Sequence, residues 1–309
     1  MGILTKLRTQ GIFVATAVIF AFFGILNPGF FTVDNLREIA VSSSVDALLG
    51  IGSVFVIITA GIDLSIGSVA SLAGVVSATL MVQLGVPPVP SLVAGLMLGF
   101  VAGVINGLLI TKLKLPPFIA TLGTMSAYQG LAYVVTGGVP VYNVPKEFIS
   151  ILSGGIDGVP SPVIVVIVVG ILSWFILRRT VFGQNIIATG GNEETAWLSG
   201  IRINRVKIIV YGTSGLLGAL GGLIIVARIS AAQTEAGSPY LLTAIAAAVI
   251  GGANLMGGEG RIGGTIVGAL ILGTLVDGLT MMNVPSFYEL IVTGCVVLVA
   301  VTIDQSGKN

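Results

Sequence analysis

The sequence predicts an all-α polytopic membrane protein of about ten transmembrane helices, some of them short or broken. Three observations predict it. Apolar residues make up 55% of the 309 residues and charged ones 9%, whereas a globular chain carries roughly a quarter charged residues. Mean hydropathy is +1.07. Glycine occupies 44 of the 309 positions, about double its usual share, as suits membrane helices that approach closely.

The same composition excludes several classes of function. There is no His and a single Cys295, so a His-based triad, a His metal site, an intrachain disulfide and a Cys cluster are all ruled out. A net charge of +1 gives no electrostatic footprint for nucleic acid. No cofactor or metal is expected, and no pair of acids at helical spacing suggests an intramembrane enzyme.

A spanning helix needs about 20 apolar residues. Runs of this kind lie near 11–26, 45–60, 65–84, 91–110, 117–136, 161–177, 206–227, 241–255, 263–282 and 287–303. The first follows Lys6 and Arg8 and ends at Asn27-Pro28. It has the shape of a signal sequence without a small-x-small cleavage site, and reads as a retained first helix. With the N-terminus inside, the cytoplasmic side receives Lys6, Arg8, Lys112, Lys114, Arg178, Arg179, Arg202, Arg205, Lys207, Arg261 and Lys308, and the outer side Arg37, Lys146 and Arg228. Eleven against three places both termini in the cytoplasm. The longest outer connection, about 137–160, is too small for a domain, so residues 1–309 read as one transmembrane unit.

The second and third runs are interrupted by TAGIDLSIGS, residues 59–68. Asp63 or Ser65 is placed to cap the following helix, and a broken helix with polar ends is also how transporters build solute sites. Both readings stand, and they are compatible. In the fourth run, Gly95, Gly99, Gly103 and Gly107 recur every fourth residue, a stripe for close helix packing or for lining a path. Gly218/Gly222 and Gly264/Gly268 repeat the device.

The fifth run carries Thr121, Thr124, Tyr128, Gln129 and Thr136 as a polar stripe, suited to hydrogen bonds between helices or to contact with solute. Charges at membrane depth are few and therefore informative. Asp46 is expected near the outer end of the second helix, Asp277 late in the ninth and Glu289 early in the tenth. Arg228, at the outer end of the seventh, is expected to pair with Asp277 or Glu289, or these groups reach the interface. Arg37 joins Arg228 as a candidate for outer-face docking or ion pairing. GGEGRIGGT, residues 257–265, resembles a phosphate loop but has Gly264 where the lysine belongs and no preceding strand. No ATPase motif is present.

Charge concentrates in GGNEETAWLSGIRINRVK, residues 190–207. Asn192 is a good N-cap, Glu193 and Glu194 favour the dipole of a first turn, and Gly200 is a natural stop. Between them, Ala196, Trp197 and Leu198 form an apolar patch on a two-turn helix. Such a helix is marginal alone and is stabilised by docking into a partner's groove or by lying in the lipid headgroups.

The motifs GIDLSIGS, FIATLGTMSAYQGLAYVVTGG, GGNEETAWLSGI and AIAAAVIGGANLMGGEGRIGGTIVGALILG, with the final helix, resemble the permease subunits of ribose-type sugar ABC importers. These belong to the wider branched-chain amino acid and ribose permease superfamily. The likeness runs in order from about residue 27 to 305. It implies the ABC importer permease fold in a bacterial-type cytoplasmic membrane. It also implies a second permease copy or sister permease, two cytoplasmic ATPase subunits and an extracytoplasmic sugar-binding protein as partners. The family's coupling helix maps onto Gly191, Asn192, Glu193, Glu194, Ala196, Trp197, Leu198, Ser199 and Gly200, within a segment of about 188–205. The solute path is expected along Asp46, Asp63, Ser65, Thr124, Tyr128, Gln129, Asp277 and Glu289.

Five positions depart from the family pattern. Gln129 stands where Arg is common, Leu241 and Thr243 replace the acids of a Y-E-L-D-A-I-A motif, Asp277 stands for Asn, and Glu289 for Gln. The expected function is the permease of a sugar importer. The alternatives are a permease for a nucleoside or amino acid, and a self-contained secondary transporter or channel using Asp63, Asp277 or Glu289.

Overall fold

The structure is a computed structural model that describes residues 3–306, with side chains from Val14 onward and, past Val296, at Leu298 and Thr302. Lys308 and the side chains of Lys6 and Arg8 lie outside what is described. In chain order the helices are α1 (Ile3–Leu26), α2 (Val33–Ile58), α3 (Ile66–Val82), α4 (Pro88–Thr111), α5 (Pro117–Thr136) and α6 (Lys146–Ser153). A two-residue hairpin, β1 (Gly155–Ile156) and β2 (Val159–Pro160), leads to α7 (Ser161–Arg179), α8 (Val181–Gly191) and α9 (Glu193–Leu198). Then come α10 (Ile203–Ile229), α11 (Tyr240–Ile250), α12 (Ile262–Met281) and α13 (Ser286–Ser306). The chain is an all-α polytopic membrane protein. Helices α2, α4, α7, α10 and α12 are long and apolar enough to cross a membrane, and α1, α3, α11 and α13 contribute shorter apolar stretches.

Each apolar run has its helix, but two differ in ways that matter. The second helix begins at Val33, capped by Thr32, not near 45. Its first turns, VDNLREIAVSSS, are too polar for a hydropathy scan, yet they continue one helix. Asp46 therefore sits halfway along α2 rather than near its outer end. The eighth run is only half a crossing. With 11 residues, α11 is about 16 Å long at 1.5 Å per residue, against a hydrocarbon core of about 30 Å. Residues 251–261 follow as irregular chain, with turn hydrogen bonds such as Asn254 N to Glu259 O at 3.0 Å.

α10 is the central post, packed by α2, α3 and α4. Its contact with α4 is backbone on backbone. A Cβ on Gly99 would lie 2.4 Å from the Gly215 carbonyl oxygen, one on Gly103 2.0 Å from that of Tyr211, and one on Gly107 2.6 Å from the Ile208 Cα. Gly95 faces α3 instead, where a Cβ would meet the Ser77 hydroxyl at 2.2 Å. Gly222 abuts the Ala70 carbonyl of α3, while Gly264 and Gly268 abut Gly251 and Ala247 of the α11 arm. Packing of this closeness replaces the hydrophobic driving force that lipid cannot supply.

These contacts fix the depth of the break between α2 and α3. Ile66, the first residue of α3, lies against Gly218, past the middle of α10, so α3 starts inside the bundle. The connection between α5 and α7 is not loose either. Val141 pairs with Ala232 as an isolated bridge, and Phe148 and Leu152 of α6 are buried in the core.

Candidate transport path and coupling segment

At the break, GIDLS builds a buried polar clasp. Asp63 Oδ1 accepts from the Ser65 backbone amide at 3.0 Å and the Ser65 hydroxyl at 2.7 Å, and Oδ2 accepts from Ser214 of α10 at 2.8 Å. The Ser65 hydroxyl in turn accepts from the Asn106 amide of α4 at 2.7 Å, and Asn106 Oδ1 accepts from Thr124 of α5 at 2.6 Å. One chain of hydrogen bonds thus joins α5, α4, the start of α3, the loop and α10. Asp63 is 4% exposed and Ser65, Asn106 and Ser214 0%. A carboxylate at this depth is tolerable because three donors replace its water. Ser65 does not cap α3 through its side chain. Its hydroxyl is committed to Asp63 and Asn106, and Asp63 closes a local turn on the Ser65 amide, so the capping expectation is corrected.

The remaining polar residues of α5 also bond to protein. Tyr128 donates to the Ala102 carbonyl at 2.9 Å and Gln129 to the Thr234 carbonyl at 2.7 Å, while Thr136 bonds back to its own helix at Ala132. Thr121 lies 2.8 Å from the Pro117 carbonyl and 3.2 Å from that of Ile62, which Tyr211 also reaches at 3.2 Å.

A second polar group lies toward the opposite end of the bundle. Asp46, buried in mid-α2, accepts from Thr243 of α11. Asn35 donates to Asp277 at 3.0 Å, and Thr280 donates to Glu289 at 2.9 Å. Arg228 pairs with Glu38 on α2, not with Asp277 or Glu289 as the sequence suggested. The reason is the early start of α2, which brings an acid next to the end of α10. Tyr133 donates to Glu235, and Arg37 is exposed. Carboxylates on α2, α12 and α13 thus outnumber the arginines here, and Asp46, Asp277 and Glu289 each take a hydrogen bond from a neutral donor.

Sequence reasoning missed Asn106, Ser214, Glu38 and Asn35. Asn106 had a usable signal, as the lone amide in an apolar, glycine-striped helix. Ser214 had none, because a serine between glycines reads as another small packing residue.

At the basic end, α9 has six residues. Asn192 Oδ1 accepts from the Thr195 amide at 2.8 Å, Gly200 stands at φ +84°, and Lys207 pairs with Glu193 at 2.6 Å. Gly191 is the last residue of α8 rather than part of this helix. Of the apolar patch only Ala196 is buried. Trp197 is 65% exposed and Leu198 71%. Beside them lies a cleft of about 810 Å³ lined by Glu193, Glu194, Trp197, Lys112, Arg202 and Arg205 among others.

Residues 35–301 match the family described as the branched-chain amino acid transport system / permease component. The chain belongs to this family. It is 42% identical over 300 residues to a ribose import permease of Haemophilus influenzae, covering 96% of this chain and 93% of that one. It is 43% identical over 306 residues to a ribose import permease of Escherichia coli, covering 98% and 95%. A D-allose transport system permease of Escherichia coli is 39% identical over 297 residues, covering 96% and 91%. The motif-based assignment to the ribose-type permeases therefore holds. No solved structure matches the chain.

Proposed function

We propose that this permease carries a small aldose through an ABC-type importer, taking it from an extracytoplasmic binding protein and drawing on two separate ATPase subunits. The whole chain acts as one membrane unit beside a second copy or a sister permease, with its basic end in the cytoplasm. The observation that carries this reading is α9. A capped helix that leaves Trp197 and Leu198 in the open, between an acidic first turn and a basic exit, has the composition of an interface centre.

Solute then enters at the opposite end and passes the carboxylates of Asp46, Asp277 and Glu289 and the amide of Gln129. Their acceptor-rich chemistry suits the hydroxyl donors of a sugar. The clasp of Asp63, Ser65 and Thr124 contributes differently, by holding the mid-membrane helix break in place, with Tyr128 anchoring α5 beside it. Relatives named for ribose, allose, xylose and L-arabinose set the panel.

The test is uptake of those four labelled sugars into vesicles holding this chain with an ATPase pair and a binding protein. Uptake that requires both ATP and the binding protein supports the proposal. Uptake by the chain alone that collapses with an ionophore would establish a secondary transporter instead.

A further inference from the structure

The end of α8, the end of α2 and the 251–261 arm meet at a single point where three backbones touch without side chains between them. A Cβ on Gly190 would lie 1.6 Å from the Ile58 carbonyl oxygen and 2.7 Å from the Gly258 nitrogen. That Ile58 oxygen accepts from the Gly258 amide at 2.8 Å. Gly257, at φ +91°, would place a Cβ 2.6 Å from the Gly190 carbonyl and 2.9 Å from the Ala60 Cβ. Gly258, at φ +79°, faces Gly191, whose Cα would be 3.3 Å from a Cβ there. Glycine is required at Gly190 by the close approach and at Gly257 and Gly258 by both approach and backbone.

The joint has consequences in two directions. In one direction, Gly191 is bonded directly to Asn192, the cap of the exposed helix. In the other direction, Ile58 leads through Ala60 and Gly61 to Ile62 and Asp63, where the clasp grips the start of α3, α4, α5 and α10. Gly61 is itself pressed against the Tyr211 hydroxyl, 2.6 Å from where its Cβ would stand. At the joint itself, Gly190, Ile58 and Gly258 meet backbone on backbone. A push on α9 is then carried through packed backbone, which transmits displacement because it cannot absorb it.

We propose that Gly190 and Gly258 are positioning residues that weld the docking unit α8–α9 to the end of α2 and to the arm below α11, so that displacement of α9 reaches the mid-membrane helix break as a rigid-body movement. This rests on the importer reading above, and the controls separate the two.

Three measurements test it in the assembled transporter with its ATPase pair. First, in wild-type protein, hydrogen exchange at the Gly258 amide should stay slow when ATP binds. Faster exchange on ATP binding would mean the joint opens, and overturns the proposal. Second, Gly258→Ala, which adds a Cβ 3.3 Å from the Gly191 Cα at φ +79°, should lower the solute moved per ATP while the ATPase stays bound. Wild-type coupling in that variant overturns the proposal.

Third, Gly190→Ala should keep the ATPase bound and hydrolysing while solute moved per ATP falls at least tenfold. Wild-type coupling in that variant overturns the proposal. If either variant fails to assemble, the exchange measurement decides the matter on folded protein. Absence of ATP-driven uptake in the wild-type complex would instead count against the importer reading itself.

Discussion

The Ser214 hydroxyl of α10 donates to Asp63 Oδ2 at 2.8 Å, linking residues 151 positions apart at the point where the bundle breaks between α2 and α3. Both groups are buried, and neither has water to fall back on. Removing the acceptor by Asp63→Ala strands the Ser65 amide, the Ser65 hydroxyl and Ser214. At about 1 kcal/mol or more for each unsatisfied group, the loss is on the order of 3 kcal/mol. Asp63→Asn should be far milder, because the Ser214 hydroxyl can rotate to accept from the new amide. Thermal unfolding of the purified chain in detergent checks the order. Equal losses for the two variants would show that the hydrogen bonds contribute little.

Glycines on α4 and α5 should respond oppositely to one methyl group. At Gly103 the added Cβ meets the Tyr211 carbonyl at 2.0 Å, so α4 and α10 must separate. Gly103→Ala is expected to lower thermal stability markedly, and Gly103→Leu to abolish assembly. At Gly123 on α5 nothing lies within 4 Å. Gly123→Ala should leave the purified chain unchanged or raise its stability by about 0.4–1 kcal/mol through a stiffer unfolded chain. Thermal melting of both variants provides the comparison, and equal destabilisation would contradict this packing.

Much of this architecture was legible because lipid imposes length and hydropathy on every crossing. The ends of α5, α7 and α12 fall within two residues of the apolar runs. The start of α2 was not legible, since VDNLREIAVSSS looks like a loop to a hydropathy scan although helix continues through it. That one error moved Asp46 to mid-helix and hid Glu38, the partner of Arg228. Other parts depend on tertiary register and leave no local trace. Nothing near Ser65 announces that Asn106 and Ser214 will arrive beside it, and nothing in GGEGR announces contact with Gly190. Local chemistry did reveal the cap and the stop of α9, because Asn192 and Gly200 act on their own neighbours.

The Arg228–Glu38 pair should be energetically minor. Its side chains remain 27% and 53% exposed, and exposed pairs contribute about 1 kcal/mol or less. A double-mutant cycle with Arg228→Gln and Glu38→Gln is expected to show a coupling of that size, shrinking with salt. A coupling above about 2 kcal/mol would mean the pair closes into a dry contact in the working transporter.

The lysine and arginine distribution predicts which side each loop faces. In a Cys295→Ser background, Asp157→Cys in the β1–β2 turn should react with an impermeant thiol reagent added outside. Thr195→Cys on α9 should react only after the membrane is opened. The reverse pattern would invert the topology and remove α9 from the reach of a cytoplasmic ATPase.

The central claim is that α9 is the mechanical contact to the ATPases, and the most direct measurement replaces its exposed apolar tip. Trp197→Asp with Leu198→Asp leaves the Asn192 cap, the Glu193–Lys207 pair and the buried Ala196 in place, so the chain should insert and fold. Co-purification of the ATPase subunits in detergent and ATP-driven uptake in vesicles are then read together. The account predicts that both fall at least tenfold while the amount of inserted permease is unchanged. Wild-type ATPase retention with wild-type uptake would contradict it, and α9 would then be a surface loop.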